Sequence, residues 1–223
     1  MKGVSRKLVR EFVSACRQVA AFHLVRCSSG NLSMRVDGDR LLVKASRGWM
    51  ARVGPDDISL CAISDGSLLE GRKPSVEIGF HAGILKARPD VNVVLHFQTP
   101  CATALACRKT ANINYFVIPE IPFYVGHVAH VPYLPPGSKE LARAVTQAML
   151  AHDMVVMRNH GQVTVASDVD HAVQNAVFFE LACEIILRSA NNAKSLPDDE
   201  VQALLNLRKS GCGKVWNADA GQA

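Results

Sequence analysis
Apolar positions recur with a helical period at the start of the chain. Over residues 6–24, Leu8, Val9, Phe12, Val13, Cys16, Val19 and Ala20 share one face, which predicts an amphipathic helix. The pattern then changes to short runs between turns. Residues 32–36 and 41–45 read as strands joined by Asp37-Gly38-Asp39, and 58–63 as a third strand before the turn Ser64-Asp65-Gly66. Such strands suggest an antiparallel part of a sheet. Ser75, with Pro74 before it, suits the N-cap of a helix running to Lys86, and Glu77 then falls in its first turn. Helical spacing returns at 99–107, 138–152 and 168–190, and a last helix starts near Leu196. Residues 113–118, 125–131, 154–157 and 162–166 have strand character, with a stiff bend at Pro119-Glu120-Ile121-Pro122.

The chain is organised around residues 91–98, Val91-Asn92-Val93-Val94-Leu95-His96-Phe97-Gln98. A run that short and β-branched predicts a buried strand. His96 and Gln98 then point to one face and Phe97 to the other. Two polar side chains so spaced can share a metal ion, although His96 alone also suits a packed core. Glu77 and His81 share a helical face, and Glu77 alone reads equally as a helix-start charge. The Asn159-His160-Gly161 turn holds a histidine that core packing does not account for. Ser28-Ser29-Gly30-Asn31 is a turn of short side chains that suits phosphate binding through backbone N–H groups, or an ordinary hairpin loop.

Composition narrows the class. The 223 residues fit one domain over 1–210, followed by a polar tail at 211–223 that is expected to be mobile. Apolar residues make up 48%, enough for a sizeable core. The formal charge of +5 is scattered, without a basic stripe interleaved with aromatics, which argues against nucleic-acid binding. Seven cysteines without framework spacing read as reduced thiols of a cytoplasmic protein, and no run is long enough to span a bilayer.

Four blocks, taken together and in this order, resemble the class II aldolase/adducin family, nearest its L-fuculose-1-phosphate aldolase branch. They are Ser28-Ser29-Gly30-Asn31-Leu32-Ser33-Met34-Arg35, Pro74-Ser75-Val76-Glu77-Ile78-Gly79-Phe80-His81, Arg88 through His96, and Asn159-His160-Gly161 with the helix after it. The resemblance implies an α/β fold, a three-layer α/β/α domain around a mixed, largely antiparallel sheet. It also implies a homotetramer with sites between subunits. The activity implied is metal-dependent cleavage of a ketose 1-phosphate to dihydroxyacetone phosphate and an aldehyde. A 4-epimerase of sugar phosphates and a metal-free, adducin-like scaffold are the alternatives. A Schiff-base route would fall to Lys44, with nothing in the sequence beside it to lower its pKa.

By the same resemblance, His96 and His160 hold one divalent metal, zinc first, with manganese or cobalt possible. Glu77 is the catalytic carboxylate that can also touch the metal, and Tyr115 matches a tyrosine reaching in from a neighbour. Phosphate falls to Ser28, Gly30, Asn31, Ser46 and Ser75. The chain departs from the pattern in four places. Gln98 stands where the family has a second strand histidine, and Val76 replaces a serine. Ala45-Ser46 replaces a Thr-Gly turn, where Arg47 is expected to restore anion contacts. The tail has no tyrosine to match a second one, Trp216 being the only aromatic near it. Gln98 reads either as a weak ligand or as a hydrogen-bonding partner of a metal-bound water or substrate hydroxyl, and otherwise a replacement ligand is sought first in Glu120, held in its proline-flanked bend, then in His127.

Overall fold
Ser5 caps the first helix, its Oγ accepting from the Leu8 N–H at 3.1 Å. The helix, α1 (Arg6–Ala21), buries Phe12, Val13, Ala15, Cys16 and Val19, the face that the period predicts. A computed structural model describes residues 1, 3–109, 113–190 and 192–210, so the tail predicted at 211–223 lies outside the described residues. Strands β1 (Asn31–Arg35), β2 (Arg40–Lys44), β3 (Ile58–Ala62) and β4 (Leu68–Gly71) follow, then α2 (Ile78–Ala87), β5 (Val93–Phe97) and α3 (Pro100–Ala106). After a π-helical turn (Ile121–Val125) come β6 (Val128–Val131), α4 (Lys139–Ala148), β7 (Met154–Met157), β8 (Gly161–Ala166), α5 (Val169–Arg188) and α6 (Asp198–Lys209).

The strands form one sheet in the order β4-β3-β2-β1-β5-β8-β7-β6. Every pair is antiparallel except β6 with β7. One face packs on α1, α3 and α5 through residues such as Phe12, Leu95, Phe97, Leu105 and Phe179. The other packs on α2 and α4 through Val94, Phe80, Leu85, Leu141, Val145 and Val163. This is the expected three-layer α/β/α arrangement. Among the described residues no helix is long and apolar enough to cross a membrane, and Cys16, Cys27, Cys61, Cys101, Cys107 and Cys183 are free thiols.

The register positions the site. Asn31 lies opposite His96 across β1 and β5, and Ser33 opposite Val94. Facing residues share a side of the sheet, and Val94 packs towards α2, so Asn31, Ser33 and His96 all face α2. Three sequence expectations change. Residues 113–118 form no strand, because the chain turns there, with the Val117 N–H donating to the Tyr115 carbonyl. The edge strand β4 is unforeseen, since Leu68 and Leu69 are exposed and show no alternation. Helix α2 begins at Ile78 with Glu77 as its N-cap, not in its first turn. Ser75 instead forms a tight turn, its Oγ accepting from the Glu77 N–H at 3.3 Å.

Candidate active site
Three elements bring three donors together. Strand β5 carries His96, the start of α2 carries Glu77, and the β7–β8 turn carries His160. Their ligand atoms lie within 4.8 Å of one another, the only such group of histidine, cysteine and acidic side chains among the described residues. His96 Nε2 is 3.4 Å from Glu77 Oε2, and His160 Nε2 is 3.2 Å from Glu77 Oε1. His96 Nδ1 donates to the Gln162 carbonyl at 2.9 Å. That bond assigns the ring proton to Nδ1 and turns the Nε2 lone pair towards the carboxylate. Burial holds the His96 ring below its ordinary pKa, although Glu77 opposes this.

A lone pair facing a carboxylate oxygen is repulsive unless a cation or proton lies between them. Glu77 Oε1 is buried and takes no well-formed hydrogen bond, despite its nearness to His160. Burial pushes the Glu77 carboxyl up, but His96 and His160, when protonated, and the Asn31 N–H outweigh it and draw the group below the usual carboxylate range. Two imidazoles and one carboxylate with an open side form the donor set of many catalytic zinc sites. The residues therefore fit a divalent cation.

Around these donors opens a cleft of about 330 Å³ lined by Ser28, Gly30, Asn31, Ser46, Arg47, Ser75, Val76, Gln98 and Pro136, with Lys44 at its wall. All the residues expected to bind phosphate meet here. The N–H groups of Ser29, Ser46 and Ser75 are committed to the Arg26, Lys73 and Lys44 carbonyls, so anion contact at these three falls to hydroxyls. Lys44 is buried, and its ammonium donates to the Gly48 carbonyl at 2.6 Å and the Ser28 carbonyl at 3.4 Å, tying the two anion loops together. Burial does lower its pKa, which the sequence alone does not reveal. Arg47 is exposed at the rim with φ +61°, a conformation a non-glycine residue holds at a cost of order 1–3 kcal/mol.

Three expected residues are placed otherwise. Glu120 is not in the donor group and does not line the cleft. Its bend leads straight into the π-helical turn, which packs on α5 and α6. His127 stacks edge-on against Phe116, ring centres 5.3 Å apart. Tyr115 is buried in its own chain between Phe179 and His130, and its hydroxyl is enclosed without a partner. Burial, first among its causes, pushes that hydroxyl above its ordinary pKa. Gln98 does reach the cleft, yet its Nε2 donates to the His160 carbonyl at 2.8 Å. It braces the turn that presents His160. Gly161 belongs to the same packing, because a Cβ there would lie 2.7 Å from both Gln98 Cγ and the Phe97 carbonyl. The sequence set His81 on one face with Glu77 but gave it no role, and Ser33 was not singled out, although its i, i+2 spacing from Asn31 on one strand is the signal that points to it.

Residues 10–187 match the model of the class II aldolase and adducin N-terminal domain. The chain belongs to that family. A 3-oxo-tetronate 4-phosphate decarboxylase of Haemophilus influenzae is 31% identical over 185 residues, 81% of this chain and 88% of that protein. A 5-methylthioribulose-1-phosphate/5-deoxyribulose-1-phosphate aldolase of Rhodospirillum rubrum is 32% identical over 214 residues, 94% of this chain and 95% of that protein. An L-fuculose phosphate aldolase of Methanococcus maripaludis is 30% identical, over 77% of this chain and 92% of its own length. Among solved structures, YgbL from Klebsiella pneumoniae superposes with a TM-score of 0.84 at 25% identity, covering 90% of this chain and 99% of that one. Aldolases and decarboxylases alike break a carbon–carbon bond, and the chain is an enzyme of this class II aldolase superfamily.

Proposed function
We propose that the protein is a divalent-cation-dependent carbon–carbon lyase. Its substrate would be a small phosphorylated ketose of the L-fuculose 1-phosphate kind, cleaved beside the carbonyl to dihydroxyacetone phosphate and an aldehyde. One observation carries the reading: the Glu77–His96–His160 group opens into the cleft that gathers Ser28, Gly30, Asn31, Ser46, Arg47 and Ser75. His96, His160 and Glu77 would hold the cation, and this donor set suits zinc, manganese or cobalt. When bound, such a cation supplies Lewis-acid stabilisation of the negative charge that develops on the substrate as the bond breaks. Glu77 moves the proton at the substrate carbon that gains the electron pair. The serine hydroxyls and the Arg47 guanidinium hold the phosphate and fix the geometry. The family pattern further implies a homotetramer, which light scattering tests.

A second reading is decarboxylation of a phosphorylated 3-oxo acid. The buried Tyr115 hydroxyl favours it. Aldol cleavage needs a group to take the proton of the substrate hydroxyl as the aldehyde forms, whereas carbon dioxide leaves without one. Both readings are tested by assaying the metal-loaded protein on a ketose 1-phosphate and on a 3-oxo acid 4-phosphate, following dihydroxyacetone phosphate and carbon dioxide. Chelator should abolish either activity, and Glu77→Gln should lower turnover at least ~100-fold. Turnover of neither substrate class would refute both.

A further inference from the structure
We propose that His81 is a positioning residue for Glu77, acting through Asn31 at the end of a one-way chain of buried hydrogen bonds that starts at Ser33. The inference rests on the metal-centre reading above and adds two residues to it. Asn31 Nδ2 donates to Glu77 Oε2 at 2.8 Å. An ionised carboxylate only accepts, so the Asn31 amide must turn its nitrogen to Glu77 and its oxygen away. That oxygen meets His81 Nε2, which must therefore carry the ring proton. His81 Nδ1 is left as an acceptor, and Ser33 Oγ donates to it at 2.7 Å. Each donor and acceptor along Ser33, His81, Asn31 and Glu77 is thus assigned.

All four residues are buried, and His81 and Ser33 are completely enclosed. Burial keeps the His81 ring neutral, as the one-way assignment requires. Without a donor on its far side, the Asn31 oxygen is left buried and unpaired, and the Glu77 contact alone holds the amide in its orientation. Flipping would turn its oxygen on Glu77 Oε2 and push the carboxylate from its place between His96 and His160. His81 thus keeps one carboxylate oxygen towards each imidazole while touching neither the cation nor the substrate. The chain lies across β1 and α2, which ties the sheet to the helix start that carries Glu77.

The test compares His81→Gln, whose amide N–H lies near the place of Nε2, with His81→Phe, which fills the space and donates nothing. Cobalt(II) titration of full-length protein should show affinity reduced about 10–100-fold in His81→Phe, the scale for residues that orient a metal ligand. His81→Gln should stay within about threefold of wild type by the same measure. In chelator-treated protein, the side-chain amide NMR pair of Asn31 should keep its shifts in His81→Gln and move in His81→Phe. Equal cobalt affinity in folded wild type and His81→Phe would overturn the proposal, as would an Asn31 signal unmoved in both variants. Wild type that binds no cobalt but keeps the NMR pattern would refute the metal centre and leave the positioning role supported.

Discussion
Gln98 shows how a side chain can stand in a ligand's place and do another task. Its amide nitrogen braces the His160 carbonyl, so its removal should loosen the turn rather than strip a donor from the cation. Gln98→Ala is expected to weaken cobalt(II) binding by about tenfold, as loss of an orienting group does. Glu120→Ala should leave binding unchanged, because Glu120 stands outside the donor group. That order reverses the one drawn from sequence, and a titration in which Glu120→Ala is the weaker binder would restore the carboxylate as ligand. His81 has a pH signature of its own. Burial, aided slightly by His96 and opposed by Glu77, lowers its pKa from 6.5 to about 3. The unfolded chain therefore binds the proton more readily between those values. His81 costs no stability above the unfolded pKa, and stability is lost as pH falls through the window. Relative to His81→Gln, wild type should lose about 1.4 kcal/mol per pH unit below 6.5. Urea unfolding at pH 7 and 5.5 measures this, and a constant difference between the two proteins would contradict the buried neutral ring.

At the scale of elements, α3 depends on a cap from elsewhere in the chain. It opens with Pro100, which has no N–H to satisfy, and Thr99 makes no side-chain cap. The two carboxylate oxygens of Glu180 on α5 accept from the Cys101 and Ala102 N–H groups, each at 2.8 Å. Glu180→Ala would leave two part-buried donors unpaired and should cost ~2 kcal/mol in chemical unfolding. Metal affinity should hold, since α3 carries no ligand; an unfolding midpoint that does not move would mean that water replaces the cap. This kind of support is invisible in sequence because donor and acceptor lie 78 or more residues apart. The strands β5, β7 and β8 were legible, since each is a short apolar run closed by a turn. Residues 113–118 have the same composition yet turn back on themselves, so strand content alone did not say whether a sheet edge was free to receive them. Glu77, His96 and His160 were legible because their motifs are local. The Gln98 contact with the His160 carbonyl and the place of Glu120 outside the donor group were not legible, because side-chain direction is set by packing that the motif does not contain.

In the whole molecule the candidate centre joins segments far apart in the chain. Glu77 precedes α2, His96 ends a central strand, and His160 belongs to a hairpin turn beyond it. An unfolded chain does not hold these three donors together, so a cation that binds them is bound by the fold. Binding of that kind stabilises by RT ln(1 + [L]/Kd), about 2.7 kcal/mol at a hundredfold excess over Kd. The unfolding midpoint should therefore rise with added zinc or cobalt and fall with chelator. Glu77→Gln should remove most of that response, because it exchanges the one anionic donor for a neutral amide. Surface binding of ions would also raise the midpoint, but it would do so equally in wild type and in Glu77→Gln. Denaturant titrations of both proteins with and without one metal separate the cases. A wild-type midpoint that ignores millimolar zinc, cobalt and manganese would leave the Glu77–His96–His160 group as a buried polar cluster and remove the basis for metal-assisted chemistry.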